Sequence, residues 1–301
     1  MKFTLITLFP DEISSSISFG ILGRAIKNKV IEVDYISLRD YSDNKYQSID
    51  DKPYGGGPGM LIQAEPLIKA INKVRSESNK NIPVIFLTPQ GKLFTQKTAK
   101  AYSQINQLII VSGRYEGFDE RVHELVDNSS EISIGDYVIS GGEIATAVII
   151  DAITRLLPGA LGDENSAKQD SFSEGLLDYP HYTRPEEVEG IKVPEVLLSG
   201  NHNAINQWRF KQSIGKTFDK RPDLIKKRNL TEEEEEILNE YIKDITPDSE
   251  KMKFEISKKI PVMLVIGDKE KDSKSASVRT RKYGDLGTLI ENQLFEKLLS
   301  F

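Results

Sequence analysis

Over the first 160 residues, short β-branched or apolar runs alternate with segments of helical period, and no other property of the chain limits its fold as much. The strand-like runs are Phe3 to Leu8, Ile31 to Ser37, Val84 to Leu87, Leu108 to Val111 and Glu131 to Ile134. Helical patterns fall at Ile21 to Lys29, Ala64 to Glu77, Thr95 to Ser103, Glu120 to Val126 and Gly142 to Leu157. Alternation at this spacing predicts an α/β fold with a mostly parallel sheet covered on both faces. The run Phe3 to Phe9 ends at Pro10-Asp11-Glu12 without a small-residue cleavage site, so it reads as a buried strand rather than a signal peptide.

The pattern breaks after residue 160. Residues 161–175 are rich in Gly, Asp, Ser and Asn, and predict a flexible linker. Helical patterns return at Asn203 to Lys211, Pro222 to Arg228 and Thr231 to Lys243. Thr231 is a suitable N-cap, and the run Glu232 to Glu236 reads as a solvated helix start rather than a metal site. Beyond Thr246-Pro247-Asp248-Ser249, residues 251–301 carry a net charge of +4 against −10 for the remainder. That tail predicts a strand from Val262 to Ile266, a strand from Ala276 to Arg281 and a helix from Glu291 to Leu299.

Composition removes several function classes. With no cysteine, there is no disulfide framework, thiolate metal site or thiol nucleophile. His123, His181 and His202 do not fall at metal-ligand spacing. No apolar run reaches the ~20 residues that span a bilayer, and the expected compartment is the cytoplasm.

Three glycine-rich stretches remain: Gly55 to Met60, Ser112 to Gly117, and Ser140-Gly141-Gly142-Glu143. The last two follow strand candidates, and a third such loop, Thr88-Pro89-Gln90-Gly91, joins them. Ligands of open α/β sheets bind beyond the carboxyl ends of strands. Glycine there permits close approach of backbone to ligand. A GxGxxG fingerprint is missing. Gly215-Lys216-Thr217 mimics the end of a P-loop, but Phe210 stands where its first glycine belongs. A nucleotide-like ligand held by backbone groups, without a phosphate cradle, fits these loops.

The same residues carry a resemblance. Leu8-Phe9-Pro10, Gly55 to Met60, Ser112 to Gly117 with Asp119-Glu120-Arg121, and Ile132 to Tyr137 are its first part. Asp170-Ser171-Phe172, Gly175 to Asp178, Pro180 to Pro185, Ser199 to His202 and Trp208-Arg209 continue it. With these motifs, residues 1–245 resemble the bacterial tRNA (guanine-N(1))-methyltransferase family of the SPOUT class. The resemblance implies a deep trefoil knot in an α/β domain (1–160), the linker (161–175) and a small helical tRNA-binding domain (176–246). It also implies a homodimer with a shared active site. The implied reaction moves a methyl group from S-adenosylmethionine to guanine N(1) at position 37, in the anticodon stem-loop of tRNA.

Residue roles follow from that resemblance. Asp170 matches the general base that removes the N(1) proton, and Arg155 the cation that stabilises charge on the guanine oxygen. Their plainer readings are a solvated loop acid and an arginine at a helix end. The donor site implied comprises Leu87, Thr88, Pro89, Gly113, Tyr115, Glu116 and Gly117, then Ile134, Gly135, Asp136, Tyr137, Val138, Ile139, Gly141 and Gly142. Glu116 is a candidate helper, through a magnesium ion or the amino group of the methionine moiety. Phe86 and Ala145 stand where the family pattern expects Tyr and Pro, which puts the shape of the donor pocket in question. Gly57, Gly59, Asp178, His181, Arg184, Ser199 and His202 match positions around the tRNA or the domain interface; His202 reads equally as a structural hydrogen-bonding residue. Lys211 to Arg228 holds seven basic and two acidic residues, a candidate phosphate-binding stretch in an otherwise acidic chain of net charge −6.

Residues 252–301 fall outside that pattern. Ile260 to Glu270, Ser277 to Arg281 and Asp285 to Thr288 are similar to the last part of the anticodon-binding domain of threonyl-tRNA synthetases. The tail reads either as an added tRNA contact through Arg279, Arg281 and Lys282, or as a marginally stable appendage. Two functional alternatives stay open at this point: a SPOUT methyltransferase with another RNA target, and a non-catalytic RNA-binding protein.

Overall fold

The computed structural model describes residues 1–162, 170–245, 262–265, 275–280, 284–290 and 293. The chain divides into two compact units, Met1–Asp178 and Tyr179–Phe301.

The first unit is an α/β fold. It opens with β1 (Lys2–Thr7), α1 (Pro10–Ile17), α2 (Gly20–Lys27) and β2 (Glu32–Ser37). A hairpin of β3 (Asp50–Asp51) and β4 (Leu61–Ile62) follows, then α3 (Ala64–Glu77) and β5 (Val84–Leu93). It closes with α4 (Gln96–Tyr102), β6 (Gln107–Ser112), α5 (Arg121–Leu125), β7 (Ser129–Ser133) and α6 (Gly142–Thr154). Five strands form one sheet in the order β2-β1-β6-β5-β7, and every neighbouring pair is parallel.

Alternation along the strands sends side chains to both faces, and both are buried. Phe3, Leu5, Ile85, Leu87, Leu108 and Ile110 pack under α1, α2, α4 and α6. Ile6, Val84, Phe86, Ile109 and Val111 pack under α3, α5 and the 3₁₀ turn Leu38–Tyr41. Each large side chain buried this way contributes roughly 1.5–3 kcal/mol.

Two elements differ from the sequence expectation. Pro10-Asp11-Glu12, which reads as a strand stop, is also the first turn of α1. Proline suits the first helical position, and the two acids face the positive end of the helix dipole. Thr88 to Gly91 is not a free loop but a bulge inside β5, which pairs with β7 again at Lys92↔Ile132 and Leu93↔Ser133.

The second unit carries the short hairpin β8 (Glu187–Val188) and β9 (Ile191–Lys192), then α7 (Glu195–Leu198), α8 (His202–Lys220), α9 (Pro222–Arg228) and α10 (Glu232–Ile245). The helix expected to end at Lys211 runs on to Lys220, straight through Gly215-Lys216-Thr217. A Cβ at Gly215 would overlap three ring atoms of Tyr241 on α10, so the glycine serves helix packing, not phosphate. The Tyr241 hydroxyl donates to Asp219 Oδ2 (2.8 Å). Burial, then the Asp219 carboxylate, push this phenol up to about 12. The stability linked to it is complete below pH ~10 and is lost as pH rises towards the folded value.

Overpacking costs about 1–3 kcal/mol, whereas alanine gains about 1 kcal/mol over glycine in a helix. Gly215→Ala is therefore expected to destabilise the helical part by up to about 2 kcal/mol. Urea denaturation followed by circular dichroism checks it; an unchanged or raised midpoint would show that the ring yields.

At the start of α10, Glu234 and Thr231 form a reciprocal capping box, each backbone N–H donating to the other's side chain at 3.2 Å. Arg228 pairs with Glu234 (2.7 Å) and holds its carboxyl below the usual range. Among the described tail residues, β10 (Val262–Val265), β11 (Ser275–Thr280) and β12 (Gly284–Ile290) form an antiparallel sheet. The third strand was not expected. The helix expected over Glu291 to Leu299 lies outside the described residues, Gln293 apart, as do Arg281 and Lys282. Residues 163–169 of the expected linker also lie outside them. Among the described residues, no helix is long and apolar enough to cross a membrane.

Candidate active site

The middle of β5 at Leu87, the carboxyl end of β6 and the segment after β7 come together at the start of α6. The Gly142 N–H donates to the Gly113 carbonyl at 2.7 Å. A Cβ at Gly113 would sit 2.6 Å from the Leu87 carbonyl oxygen, and one at Gly142 would sit 2.6 Å from the Gly113 nitrogen. Real Cβ atoms do not approach so closely, so these glycines are what let three backbone segments stack. Gly117 has φ +120° with open space beside it, a conformation that suits glycine. Tyr115, Tyr137 and Val138 are exposed around these loops.

The remaining donor-site candidates lie on the same segments. Thr88 and Pro89 belong to the β5 bulge. Asp136 is exposed in the turn after β7, where the Tyr137 hydroxyl donates to the Ile134 carbonyl (3.3 Å) and its ring folds over Gly135. Ile139 packs against the core beneath, and Gly141 precedes α6.

Gly57 and Gly59 lie exposed in the loop between β3 and β4. This loop is fastened to the β6 loop. The Glu116 N–H donates to the Met60 carbonyl (3.0 Å), the Ile62 N–H to the Gly117 carbonyl (2.9 Å), and a Cβ at Gly59 would collide with the Glu116 side chain. Among the described residues, no group of three or more His, Asp or Glu side chains is placed to hold a metal ion.

Sequence reasoning missed an ionic network under these loops. Glu143 is only 7% exposed. It accepts from Thr7 Oγ1 (2.8 Å) through Oε1 and from Arg114 Nε (2.9 Å) through Oε2. Arg114 also donates to the Ser140 carbonyl (3.2 Å) and lies over the Phe9 ring, 4.4 Å from its centroid. Paired in this way, the buried carboxylate is satisfied; removing either partner would strand a charge. Arg114 and Glu143 stand inside the glycine motifs, but a contact across 29 residues leaves no mark on local sequence.

Phe86 and Ala145, whose identities put the shape of the donor pocket in question, are both buried. Phe86 is fully buried under the opposite sheet face, with Phe118 and His123 edge-on at 5.4 and 4.9 Å between centroids. Ala145 is buried in the first turns of α6.

The two catalytic candidates meet. Arg155 caps the carboxyl end of α6, and its Nη2 donates to Asp170 Oδ2 at 2.6 Å. Both side chains are about one third exposed. They open into a cleft of ≈ 700 Å³ with Phe19, Val148, Asp151 and Asp178 among its walls. The Asp178 N–H donates to Ser171 Oγ (3.0 Å), which fixes the turn after Asp170. None of the donor-loop residues lines this cleft. The two halves of the candidate site sit at opposite ends of α6, whose 13 residues place them about 20 Å apart.

The other RNA-side candidates belong to the second unit. His181 packs on Tyr179 (4.6 Å between centroids), and Arg209 lies 4.9 Å over the same Tyr179 ring. Arg184 is exposed. Ser199 Oγ accepts from the Asn201 N–H, and Asn201 caps α8, with His202 exposed at its first position. In the basic stretch, Lys211 pairs with Asp244, Arg221 with Asp223 and Arg228 with Glu234. That leaves Lys216, Lys220, Lys226 and Lys227 as its better phosphate candidates.

Known proteins match this sequence. Residues 1–227 fit the family model described as tRNA (Guanine-1)-methyltransferase TrmD. A tRNA (guanine-N(1)-)-methyltransferase of Tolumonas auensis is 46% identical over 246 residues, 82% of this chain and 98% of its own. Its counterpart in Pseudoalteromonas atlantica is 48% identical over 243 residues, 81% of this chain and 91% of its own. One from Coxiella burnetii is 49% identical over 240 residues, 80% and 97% of the two chains. With the family model matched over residues 1–227 and relatives 46–49% identical over about four fifths of its length, this chain belongs to the tRNA (guanine-1)-methyltransferase family.

Proposed function

We propose that the protein methylates N(1) of the guanosine at position 37 of tRNA, using S-adenosylmethionine, and does so in the cytoplasm as a homodimer with shared active sites. The observation that carries this reading is the Arg155–Asp170 pair. It offers a base and a cation side by side, which is what a protonated ring nitrogen beside a carbonyl requires.

The donor fits the stacked loops. Leu87, Gly113, Tyr115, Gly117, Ile134 to Ile139, Gly141 and Gly142 offer backbone groups and apolar edges to an adenosine-like ligand, with no cluster of cations for a phosphate. When bound, S-adenosylmethionine supplies an electrophilic methyl group on sulfur. Guanine N(1) carries a proton at neutral pH, so its lone pair is not available for attack. Asp170 holds Arg155 through Oδ2, and among the described residues Oδ1 has no donor. Oδ1 can therefore take the N(1) proton, and the electron pair left on nitrogen would form the new N–C bond as the methyl–sulfur bond breaks and its electrons stay on sulfur. Before the methyl group moves, the charge left by the proton is shared with the guanine oxygen, where Arg155 N–H groups can donate. An ion pair this exposed is worth about 0–1 kcal/mol, so turning Arg155 towards the guanine costs little.

A base cannot act over the length of α6. The shared site resolves this. An isologous contact that sets two α6 helices antiparallel brings the donor loops of one copy to the Arg155–Asp170 pair of the other. The surface supports it: Phe19 and Ile144 are 71% and 63% exposed, and Val148 lies one turn beyond Ile144. Covering each such side chain is worth roughly 1.5–3 kcal/mol. The tight stacking at Gly113 and Gly142 likewise supports a knotted path for the chain before α6. The helical second unit, with Lys216, Lys220, Lys226 and Lys227 unpaired among the described residues, is the proposed reader of the anticodon stem-loop, where an unstacked base can be held by stacking and hydrogen bonds.

Incubation of the protein with tRNA and labelled donor, followed by nucleoside mapping, tests the assignment. The expected product is N(1)-methylguanosine at position 37; a methyl group on ribose or on another base atom would overturn it.

A further inference from the structure

A second cleft, of ≈ 630 Å³, adjoins the catalytic pair and has no role so far. Arg155, Phe172 and Gln96 line both clefts, so the two are continuous around Arg155. Its outer wall is α4, which contributes Lys97 and Lys100. These lie three residues apart, on one side of the helix. Both are exposed, and neither is paired with a carboxylate among the described residues. Gln104 lines the same wall, and Glu174 is the one acid among the lining residues. The cleft therefore has a positive excess in a chain of net charge −6.

We infer that this cleft binds the phosphodiester backbone beside the nucleotide offered to Asp170, with Lys97 and Lys100 neutralising its phosphates. The inference rests on the function proposed above, which makes the partner an RNA. An extruded nucleotide drags its flanking phosphates with it, and a base held at Asp170 must leave those phosphates close to Arg155. Unpaired lysines on a wall that shares Arg155 with the base site are placed to receive them. Phosphate contacts of this kind fix register and orientation without reading sequence. They also release counterions, so they show in the salt dependence of binding.

The test is the double variant Lys97→Gln/Lys100→Gln in the full-length protein, measured with unmodified tRNA at several salt concentrations. The slope of log K against log salt is expected to shrink by about 1–2, and binding near 0.1 M salt to weaken by about tenfold or more. The kinetic loss is expected in KM rather than kcat. Lys97→Arg/Lys100→Arg is expected to keep the wild-type slope, which packing alone would not explain. Thermal melts of both variants should match the wild type, since the side chains are exposed. An unchanged slope and KM in the glutamine variant, or a fall in kcat alone, would overturn the inference. The two readings fail separately: wild-type protein that makes no N(1)-methylguanosine refutes the activity, whereas normal wild-type turnover with an unaltered variant slope refutes only the cleft.

Discussion

Asp170→Asn is expected to lower methyl transfer by ~10²–10⁴, the range a positioned general base supplies, while leaving donor affinity unchanged. The carboxamide keeps the shape and can still accept from Arg155, as Asp170 does through Oδ2. What it cannot do is take the N(1) proton. Because the residue is about one third exposed, the substitution strands no buried group, and the melting temperature should not move. Single-turnover rates with saturating tRNA and donor read the chemical step, and calorimetry reads donor binding. Turnover close to wild type would remove Asp170 from the base role and leave Arg155 without its proposed partner in chemistry.

Complementation between inactive variants should give the second large effect. Asp170→Asn lacks the base. Gly117→Val fills the open space beside a φ +120° glycine in the donor loops and should no longer bind donor. If valine disturbs the melt, Tyr115→Asp at the same exposed loop replaces it. Each variant alone is expected at about a hundredth of wild-type activity or less. In an equimolar mixture, after subunit exchange, about half of the dimers are mixed, and each of those holds one site built from two intact halves. Activity should rise to about a quarter of the wild-type value. A site contained within one chain predicts no rise above the sum of the two variants. That outcome would refute the shared site while leaving the assignment of Asp170 to stand or fall by its own experiment.

Local pattern made much of this molecule legible. Short, nearly continuous apolar runs announced β1, β5 and β6 as strands buried on both faces, and α3 and α9 begin and end where their apolar spacing and proline put them. The glycine loops marked the donor side because only glycine lets backbones lie against each other as Gly113 and Gly142 do. Where a residue's meaning depended on its neighbour in space, the sequence was silent. Gly215 looks like part of a P-loop mimic until the Tyr241 ring is laid against it. Glu143 looks like an ordinary acid until Thr7 and Arg114 are brought to it.

The chain order and the residue types by themselves determined an α/β body with glycine-lined strand ends, whereas the roles of Asp170 and Arg155 came only from the resemblance to the methyltransferase family. Only the tertiary structure decided that Arg155 and Asp170 touch, and that α6 holds them a helix length from the loops meant for the donor. The reason is physical: periodicity reports how each segment meets the core, over a few residues, whereas a site is set by distances between segments that packing alone fixes.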